Sequence, residues 1–191
     1  MRFVSIFGFL WFSGGEGQVA ARIAWGITGA GHFLPEVVEL LQSMQEVDLF
    51  LSRAGEEVIR SYGLESMLSG RGHRVFYDKA ASAPAIGKLY RGYYCVVVVA
   101  PATSNSVAKF VCGIADSLVT NLFAQAGKAR VPSLVLPTDI APELISRAPG
   151  GNVQVCPREI DRENIRRLEA FANVKVVKNV SDLAVCLNTY L

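Results

Sequence analysis

The stretch Cys95-Val96-Val97-Val98-Val99-Ala100, followed directly by Pro101-Ala102-Thr103-Ser104-Asn105-Ser106, decides the fold of this 191-residue chain. The first six residues are apolar without interruption and include four consecutive valines. An unbroken run of this kind, without polar alternation, is typical of a strand buried on both faces of a parallel sheet. Four hydrogen-bonding residues follow, so a polar loop is predicted at the carboxyl end of this strand.

The sequence on either side of this strand alternates short apolar runs with longer amphipathic stretches. Helix 33–45, for example, has apolar residues three and four positions apart, which gives it one buried stripe. The other predicted strands are 22–27, 47–51, 75–77, 133–136 and 174–177. Residues 150–157 are predicted to be loop, with a short strand as the alternative. The alternation predicts one α/β domain, a doubly wound Rossmann-like or flavodoxin-like parallel sheet with helices on both faces.

Composition excludes several classes of function. The chain has 19 basic and 17 acidic residues without a basic block, which argues against a nucleic-acid surface. Its four cysteines are widely spaced and form no CxxC pair, which favours reduced thiols in a cytoplasmic protein and predicts no metal site.

The first 21 residues differ from the rest of the chain. Residues 3–12 are mostly apolar but too short to span a membrane, so no membrane partner is predicted. Residues 13–18 carry no convincing cleavage signature for a signal peptide. The prediction is an N-terminal appendage without a catalytic role at 1–21 and one domain at 22–191. A misplaced start, a weak targeting segment and an arm that packs on another subunit are the origins considered for the appendage.

Two further loops should meet the polar loop, because ligands of doubly wound sheets bind at the carboxyl ends of strands where the chain reverses. Residues 26–31 have glycines spaced G-x-x-G-x-G, which lets backbone N–H groups approach an anion at a helix start. The same glycines are equally explained by a tight turn. Ser52 stands where a dinucleotide site has an acid, so it disfavours NAD and suits a mononucleotide. A helix N-cap is the alternative role for Ser52.

The polar loop at 103–106 has the same two interpretations. Its side chains could satisfy phosphate oxygens or the polar edge of a flavin, or they could simply cap the next helix, with Asn105 or Ser106 as the cap. No GxxxxGK[ST] pattern occurs, which excludes a P-loop nucleotide triphosphatase.

Three motifs in the same order resemble a known superfamily. Pro101–Ser106 resembles the PASANT-type motif of the flavoprotein superfamily of homo-oligomeric flavin-containing cysteine decarboxylases, which also contains flavin prenyltransferases. Thr28-Gly29-Ala30-Gly31 is similar to its first phosphate loop, and Ser52-x-x-Gly55 to its S/T-x-x-A segment. Residues 25–36 and 125–132 most resemble the archaeoflavoprotein and dihydromethanopterin reductase branch.

The resemblance implies a cofactor, its ligands and an assembly. The cofactor is FMN, and the expected assembly is a homo-oligomer, a trimer or a cage built of trimers. The residues that the resemblance assigns to FMN binding are Thr28, Gly29, Ala30, Gly31, Ser52, Thr103, Ser104, Asn105 and Ser106.

Departures from the decarboxylase pattern change the expected chemistry. The decarboxylase histidine before the motif strand is absent from residues 82–94, and the PxMN substrate clamp is replaced by Pro137-Thr138-Asp139-Ile140. Gly31 replaces the serine that often ends the first loop. The resemblance therefore implies reduction of dihydromethanopterin or a related dihydropterin, with electrons from NAD(P)H or a ferredoxin-like donor. The alternatives are a decarboxylase or prenyltransferase for another acid, and an electron-transfer flavoprotein without a small-molecule substrate.

Few further residues have a predicted role in the chemistry. Lys88 and Lys109 are candidates for holding negative charge near the flavin or on the substrate, and solvated lysines are the alternative. His73 is predicted to lie in a surface loop. The sequence suggests no general acid.

Overall fold

The computed structural model describes residues 22–79 and 84–191, and the predicted appendage lies outside this part of the chain. The strands are β1 (Arg22–Ile27), β2 (Asp48–Leu51), β3 (Arg74–Tyr77), β4 (Tyr94–Ala102), β5 (Ser133–Pro137), β6 (Leu144–Ala148), β7 (Gly151–Val155) and β8 (Val174–Val176). The α-helices are α1 (Leu34–Ser43), α2 (Arg53–Ser61), α3 (Ser104–Cys112), α4 (Leu118–Ala129), α5 (Glu159–Glu169) and α6 (Val180–Leu187). Short 3-10 helices cover Glu65–Leu68 and Ile86–Arg91.

Six of the strands form one parallel sheet in the order β3-β2-β1-β4-β5-β8. The chain runs outward from β1 to β3 and then crosses back to β4, which pairs with β1. The loops after β1 and β4 therefore lie side by side where the strand order reverses, the usual ligand position in such sheets. The doubly wound sheet predicted from the sequence is confirmed.

The valine run of β4 is buried on both faces, as its sequence predicts. Val96 and Val98 belong to a core cluster beneath α1 and α6, while Val97 and Val99 belong to a second cluster beneath α3, α4 and α5. All four side chains have no exposed surface. Complete burial of a valine side chain contributes about 1.5–3 kcal/mol to the free energy of folding. Because its two faces belong to different clusters, β4 joins the two cores of the domain.

A buried ionic cluster ties four strands together at the amino-terminal edge of the sheet. The fully buried carboxylate of Asp48 accepts hydrogen bonds from Arg22 Nε at 3.1 Å, Arg74 Nε at 2.8 Å and the Tyr94 hydroxyl at 2.7 Å. Removing one partner from such a cluster leaves a charge without compensation in the interior. The cluster therefore stabilises the amino-terminal ends of these strands, opposite the loops that follow their carboxyl ends.

The short strand considered within residues 150–157 is β7, and it forms a hairpin with β6, which was not predicted. Ile145 pairs with Gln154 and Arg147 with Asn152. β6 alternates partly buried with exposed residues, but β7 is exposed at every position before Val155, so the hairpin has no fully buried face that its sequence would mark. Its pairing is local, and it stands apart from the parallel sheet.

Candidate flavin site

Three loops meet at the carboxyl ends of β1, β2 and β4, as the fold predicts. The Thr28 hydroxyl donates to the Pro101 carbonyl at 2.8 Å and accepts from the Thr103 N–H at 2.9 Å, which joins the first loop to the polar loop. The Ser52 N–H donates to the Ile27 carbonyl at 3.1 Å. Backbone groups and the Thr28 hydroxyl thus hold the three loops in contact.

Glycine is required where the first two loops touch. A Cβ atom added to Gly29 would lie 2.5 Å from the Cβ atom of Ala54, and one added to Gly55 would lie 2.5 Å from the Ile27 carbonyl oxygen. Real Cβ atoms do not approach so closely. These two glycines therefore permit a close backbone approach, which is a firmer reason for them than a turn.

A cavity of about 540 Å³, here called the helix-end cavity, opens at the start of three helices. Each helix has a hydroxyl N-cap that accepts from the third N–H of its helix. The three pairs are Ser52 with the Gly55 N–H at 3.0 Å, Thr103 with the Ser106 N–H at 3.2 Å and Ser117 with the Thr120 N–H at 3.2 Å. Because N–H groups and the positive ends of helix dipoles converge there, the cavity favours an anion such as a phosphate.

Charged side chains around the helix-end cavity add to this preference. Arg53, Lys79 and Lys109 line it, together with Asp78 and Asp116. The Lys109 ammonium lies 2.7 Å from the Asp116 carboxylate and holds the pKa of that carboxyl below its usual range. Three cations and two carboxylates leave this cavity with a positive balance.

A second cavity of about 410 Å³, here called the hairpin cavity, lies between the same loops and the β6–β7 hairpin. Leu144, Ser146 and Val155 of the hairpin form one wall. His32, Asp139, Arg158 and Asp161 bring titratable and charged groups to it. The two cavities share Gly29, Thr103 and Asn105, so the polar loop forms a wall of each.

The comparisons with known proteins agree with this geometry. The profile of the family described as Flavoprotein matches residues 15–189 of the chain. The chain belongs to the flavoprotein family.

Two relatives resemble this flavoprotein over most of its length. One is a protein of Methanosarcina mazei named dihydromethanopterin reductase (acceptor), which is 40% identical over 185 residues covering 86% of this chain and 76% of the relative. The other is DmrB of Burkholderia xenovorans, whose crystal structure in complex with FMN is described as a cubic protein cage for redox transfer. It is 40% identical, covers 91% of this chain and 96% of DmrB, and has a TM-score of 0.81. The predicted resemblance to the dihydromethanopterin reductase branch is confirmed.

More distant structures share the fold alone. Phenylacrylic acid decarboxylase from Aquifex aeolicus is 22% identical, with a TM-score of 0.60 over 86% of this chain and 90% of the decarboxylase. The architecture is therefore common to reductases and decarboxylases, and the residues of the site have to distinguish them.

The residues predicted to bind FMN divide between the two cavities of this flavoprotein. Ser52 and Ser106 line the helix-end cavity, and Ala30, Gly31 and Ser104 line the hairpin cavity. The three shared residues Gly29, Thr103 and Asn105 line both. Thr28 lines neither, because its buried hydroxyl is engaged by the polar loop. Binding by these residues stays a prediction, and for Thr28 the structure favours a positioning role.

The cap of α3 is Thr103, so the prediction of Asn105 or Ser106 as its cap is wrong. The helix begins at Ser104, so Asn105 and Ser106 lie in its first turn and not before it. The hydroxyl that follows the strand directly is therefore the one in position to accept the N–H of the third helical residue. Ser52 has the capping role that was its alternative, and it also lines the helix-end cavity.

Gly31 has a structural reason that the sequence does not reveal. A Cβ atom at this position would clash with the hydroxyl group of Tyr62. That hydroxyl donates to the Arg147 carbonyl of the β6–β7 hairpin at 2.6 Å. The space that a serine side chain would need in the first loop is thus occupied by a tyrosine that holds the hairpin.

Other residues considered from the sequence lie elsewhere. His73 lies in the loop before β3, as predicted, and it is partly buried there because its Nδ1 atom accepts the Val47 N–H at 3.1 Å. The Lys88 ammonium lies 4.5 Å from the ring centroid of Tyr93 and is absent from the linings of both cavities. Lys109 does line the helix-end cavity.

Asp139 is the residue of the site that the sequence analysis missed as a functional group. It follows β5, the neighbour of β4, and lies against the start of α3, where the Ser104 hydroxyl donates to its carboxylate. Burial and the nearby Asp161 raise the pKa of Asp139, while hydrogen bonds from Thr138 and the Ser104 N–H and the charge of His32 oppose this. Its position after a strand of the sheet was the available signal.

Within residues 22–79 and 84–191, no group of three or more His, Cys, Asp or Glu residues could hold a metal ion. No helix in the same two ranges is both long and apolar enough to cross a membrane.

Proposed function

We propose that this flavoprotein is a cytoplasmic, FMN-dependent oxidoreductase that reduces dihydromethanopterin or a related dihydropterin to its tetrahydro form. The observation that carries the proposal is the helix-end cavity, where three helix starts converge beside the polar loop. Such a site suits the phosphate of a mononucleotide, and the hydroxyl groups around it suit a ribityl chain. The relatives named dihydromethanopterin reductase support the choice of substrate.

The residues present fit FMN, and several of them would have a definite task in holding it. The first N–H groups of α2, α3 and α4 have no partner within their helices and would donate to phosphate oxygens. Arg53 and Lys79 would add positive charge. Gly29 allows the first two loops to close around this point. When bound, the flavin supplies hydride chemistry, and the protein positions it, tunes it and admits the substrate.

Reduction is favoured over decarboxylation by the side chains at the hairpin cavity. The carboxyl group of Asp139 lies after β5 in the sequence Pro137-Thr138-Asp139-Ile140, in place of the PxMN pattern. A carboxyl group at this position can hydrogen-bond the polar edge of a pterin ring. The lack of a histidine in residues 82–94 points the same way.

The proposal includes a homo-oligomer and an external electron donor, either NAD(P)H or a ferredoxin-like protein. The DmrB cage supports a homo-oligomer, with a trimer or a trimer-based cage as the expected form. Large apolar side chains on this chain are exposed on the hairpin, with Ile145 69% and Val153 50% exposed. A contiguous apolar patch that included these side chains would suit a subunit contact. Light scattering on the purified protein measures the assembly directly.

The test of the function is a pair of half-reactions under anaerobic conditions. The bound chromophore is first identified, and the oxidised protein is then mixed with NADH, NADPH or reduced ferredoxin to reduce the flavin. Dihydromethanopterin or dihydrofolate is added next, and flavin reoxidation and the tetrahydro product are measured. A protein that cannot take up FMN contradicts the proposal. Reduction without reoxidation by any dihydropterin would instead identify an electron-transfer flavoprotein.

A further inference from the structure

The Asp139 carboxyl group in the hairpin cavity has no part in the proposed function beyond contact with the substrate. Asp139 lies two residues beyond the end of β5, and the Thr138 N–H donates to the Ala102 carbonyl of β4 at 3.0 Å. This bond places Asp139 beside the polar loop, where Ser104 contacts it. The carboxyl group therefore faces a cavity that shares a wall with the cavity predicted to hold the flavin phosphate.

The orientation of this carboxyl group is fixed by its neighbours. The Ser104 hydroxyl and N–H and the Thr138 side chain all hydrogen-bond to it, so its oxygen atoms have defined positions. A proton donor has to be held in this way to act within hydrogen-bonding distance of its acceptor.

The charged groups that face Asp139 come from three elements. Asp161 is in the first turn of α5, and the Arg158 guanidinium just before α5 is bound to Asp161, with Nη2 to Oδ1 at 2.8 Å. His32 is in the loop after β1, and burial lowers its pKa. The arginine is hydrogen-bonded to Asp161, and its charge also acts on Asp139. Burial and the Asp161 charge together favour a protonated Asp139, although Ser104, Thr138 and His32 oppose them.

We propose that Asp139 is the proton donor of the reduction and that the hairpin cavity is the pterin subsite. This inference rests on the proposed function. In the step, the C=N bond of the dihydropterin becomes a CH–NH bond. The carbon receives a hydride, with its two electrons, from the reduced flavin, which is thereby oxidised. The nitrogen receives a proton from the Asp139 carboxyl group, and the resulting carboxylate takes up a proton from water.

The donor role predicts the direction in which the rate of the pterin half-reaction changes with pH. Asp139 donates only when protonated, so the rate of the pterin half-reaction should fall as the pH rises through the pKa of this group. Because that pKa is raised, the fall should begin above the range of an ordinary aspartate. The flavin half-reaction with the electron donor does not use this proton, and it should not show the same fall.

The experiment compares Asp139→Asn and Asp139→Glu with the wild type. Glu36→Gln is the matched control, because Glu36 is an exposed carboxylate near His32 that lies outside the hairpin cavity. The FMN-loaded, reduced proteins are mixed with dihydromethanopterin or dihydrofolate across a pH series. We expect the asparagine variant to lose about 10²–10⁴-fold in rate and to lose the pH dependence, as for other general acids. The glutamate variant should retain a pH-dependent rate, and the control should match the wild type.

Two measurements separate a proton donor from a structural residue. Carbon NMR of the Asp139 carboxyl group in the apo protein should show a raised pKa, and FMN affinity should be the same in the asparagine variant as in the wild type. An asparagine variant with the wild-type rate and pH profile overturns the donor role alone, and so does a variant that fails to bind FMN. If the wild-type reduced flavin is not reoxidised by any dihydropterin, the proposed function fails, and the donor role fails with it.

Discussion

The replacement Gly29→Ala tests whether the close approach of the first two loops is needed for FMN binding. The backbone at Gly29 is not left-handed, so an alanine is strained there only by the space around it. Its Cβ atom would lie 2.5 Å from the Cβ atom of Ala54 and 3.1 Å from the Ala54 carbonyl carbon. The nearest atoms belong to backbone or lie next to it, so they cannot simply rotate away. The two loops must separate.

The expected magnitude follows from the cost of overpacking. Inserting a methyl group into a filled space typically costs about 1–3 kcal/mol. Gly29 lines both cavities, so the strain can be relieved by moving the first loop into open space. Such a movement of the first loop distorts the anion site without unfolding the core. We therefore expect the overpacking energy to be lost from FMN binding, which corresponds to an affinity lower by about five- to 150-fold.

The assay is a titration of the apo protein with FMN, followed by quenching of flavin fluorescence, together with urea denaturation of the same samples. Gly127→Ala is the control, because Gly127 is exposed in α4 and no atom lies within 4 Å of an added Cβ. That variant should bind FMN normally and gain about 0.5–1 kcal/mol in unfolding free energy. Unchanged FMN affinity in Gly29→Ala would refute the reasoning, and a loss of stability alone would show that the strain stays in the core.

Three other replacements test the supports of the site. Thr28→Val should lower the free energy of unfolding in urea by about 1–3 kcal/mol, because it leaves a loop N–H without its acceptor. Asp48→Asn should lower it by about 3–5 kcal/mol, because the ionic cluster at the opposite edge loses its buried charge. Gly31→Ala should displace the Tyr62 hydroxyl from its hairpin carbonyl, which should speed amide hydrogen exchange in residues 144–155.

Each of these three replacements is paired with a second variant, either a control or an independent test of the same contact. Thr28→Ser keeps the hydroxyl and should preserve most of the stability that the valine variant loses. Glu56→Gln removes an exposed partner of Arg60 and should change stability by less than about 1 kcal/mol. Tyr62→Phe should speed exchange in the hairpin as Gly31→Ala does. Equal exchange rates in wild type and both variants would show that the tyrosine does not hold the hairpin.

The sheet could be predicted from the sequence because a strand that is buried on both faces is apolar without alternation. The valines of β4 are apolar without alternation, and their burial on both faces follows directly. The meeting of the first, second and polar loops followed from the same rule, since parallel strands place their carboxyl ends together. Local signals and topology agree at these positions, which is why the prediction holds there.

The parts that sequence reasoning missed depend on contacts between distant segments. Asp139 has an ordinary sequence context, and only the pairing of β4 with β5 brings it to Ser104, 35 residues away. Gly31 and Tyr62 are far apart in the chain, and the exclusion of a side chain by the tyrosine is visible only in three dimensions. The β6–β7 hairpin has no fully buried residue, so its strands leave only a weak pattern in the sequence. Such features need the packed structure.

The polar loop that separates the two cavities has a thermodynamic consequence. Gly29, Thr103 and Asn105 belong to both linings, so any displacement of them that accompanies filling of one cavity reshapes the other. The two binding equilibria are then linked, and linkage is reciprocal. Whatever factor an occupant of the helix-end cavity imposes on affinity in the hairpin cavity, the second occupant imposes the same factor in return. One isotherm, measured with and without the other ligand, therefore reports the coupling in both directions.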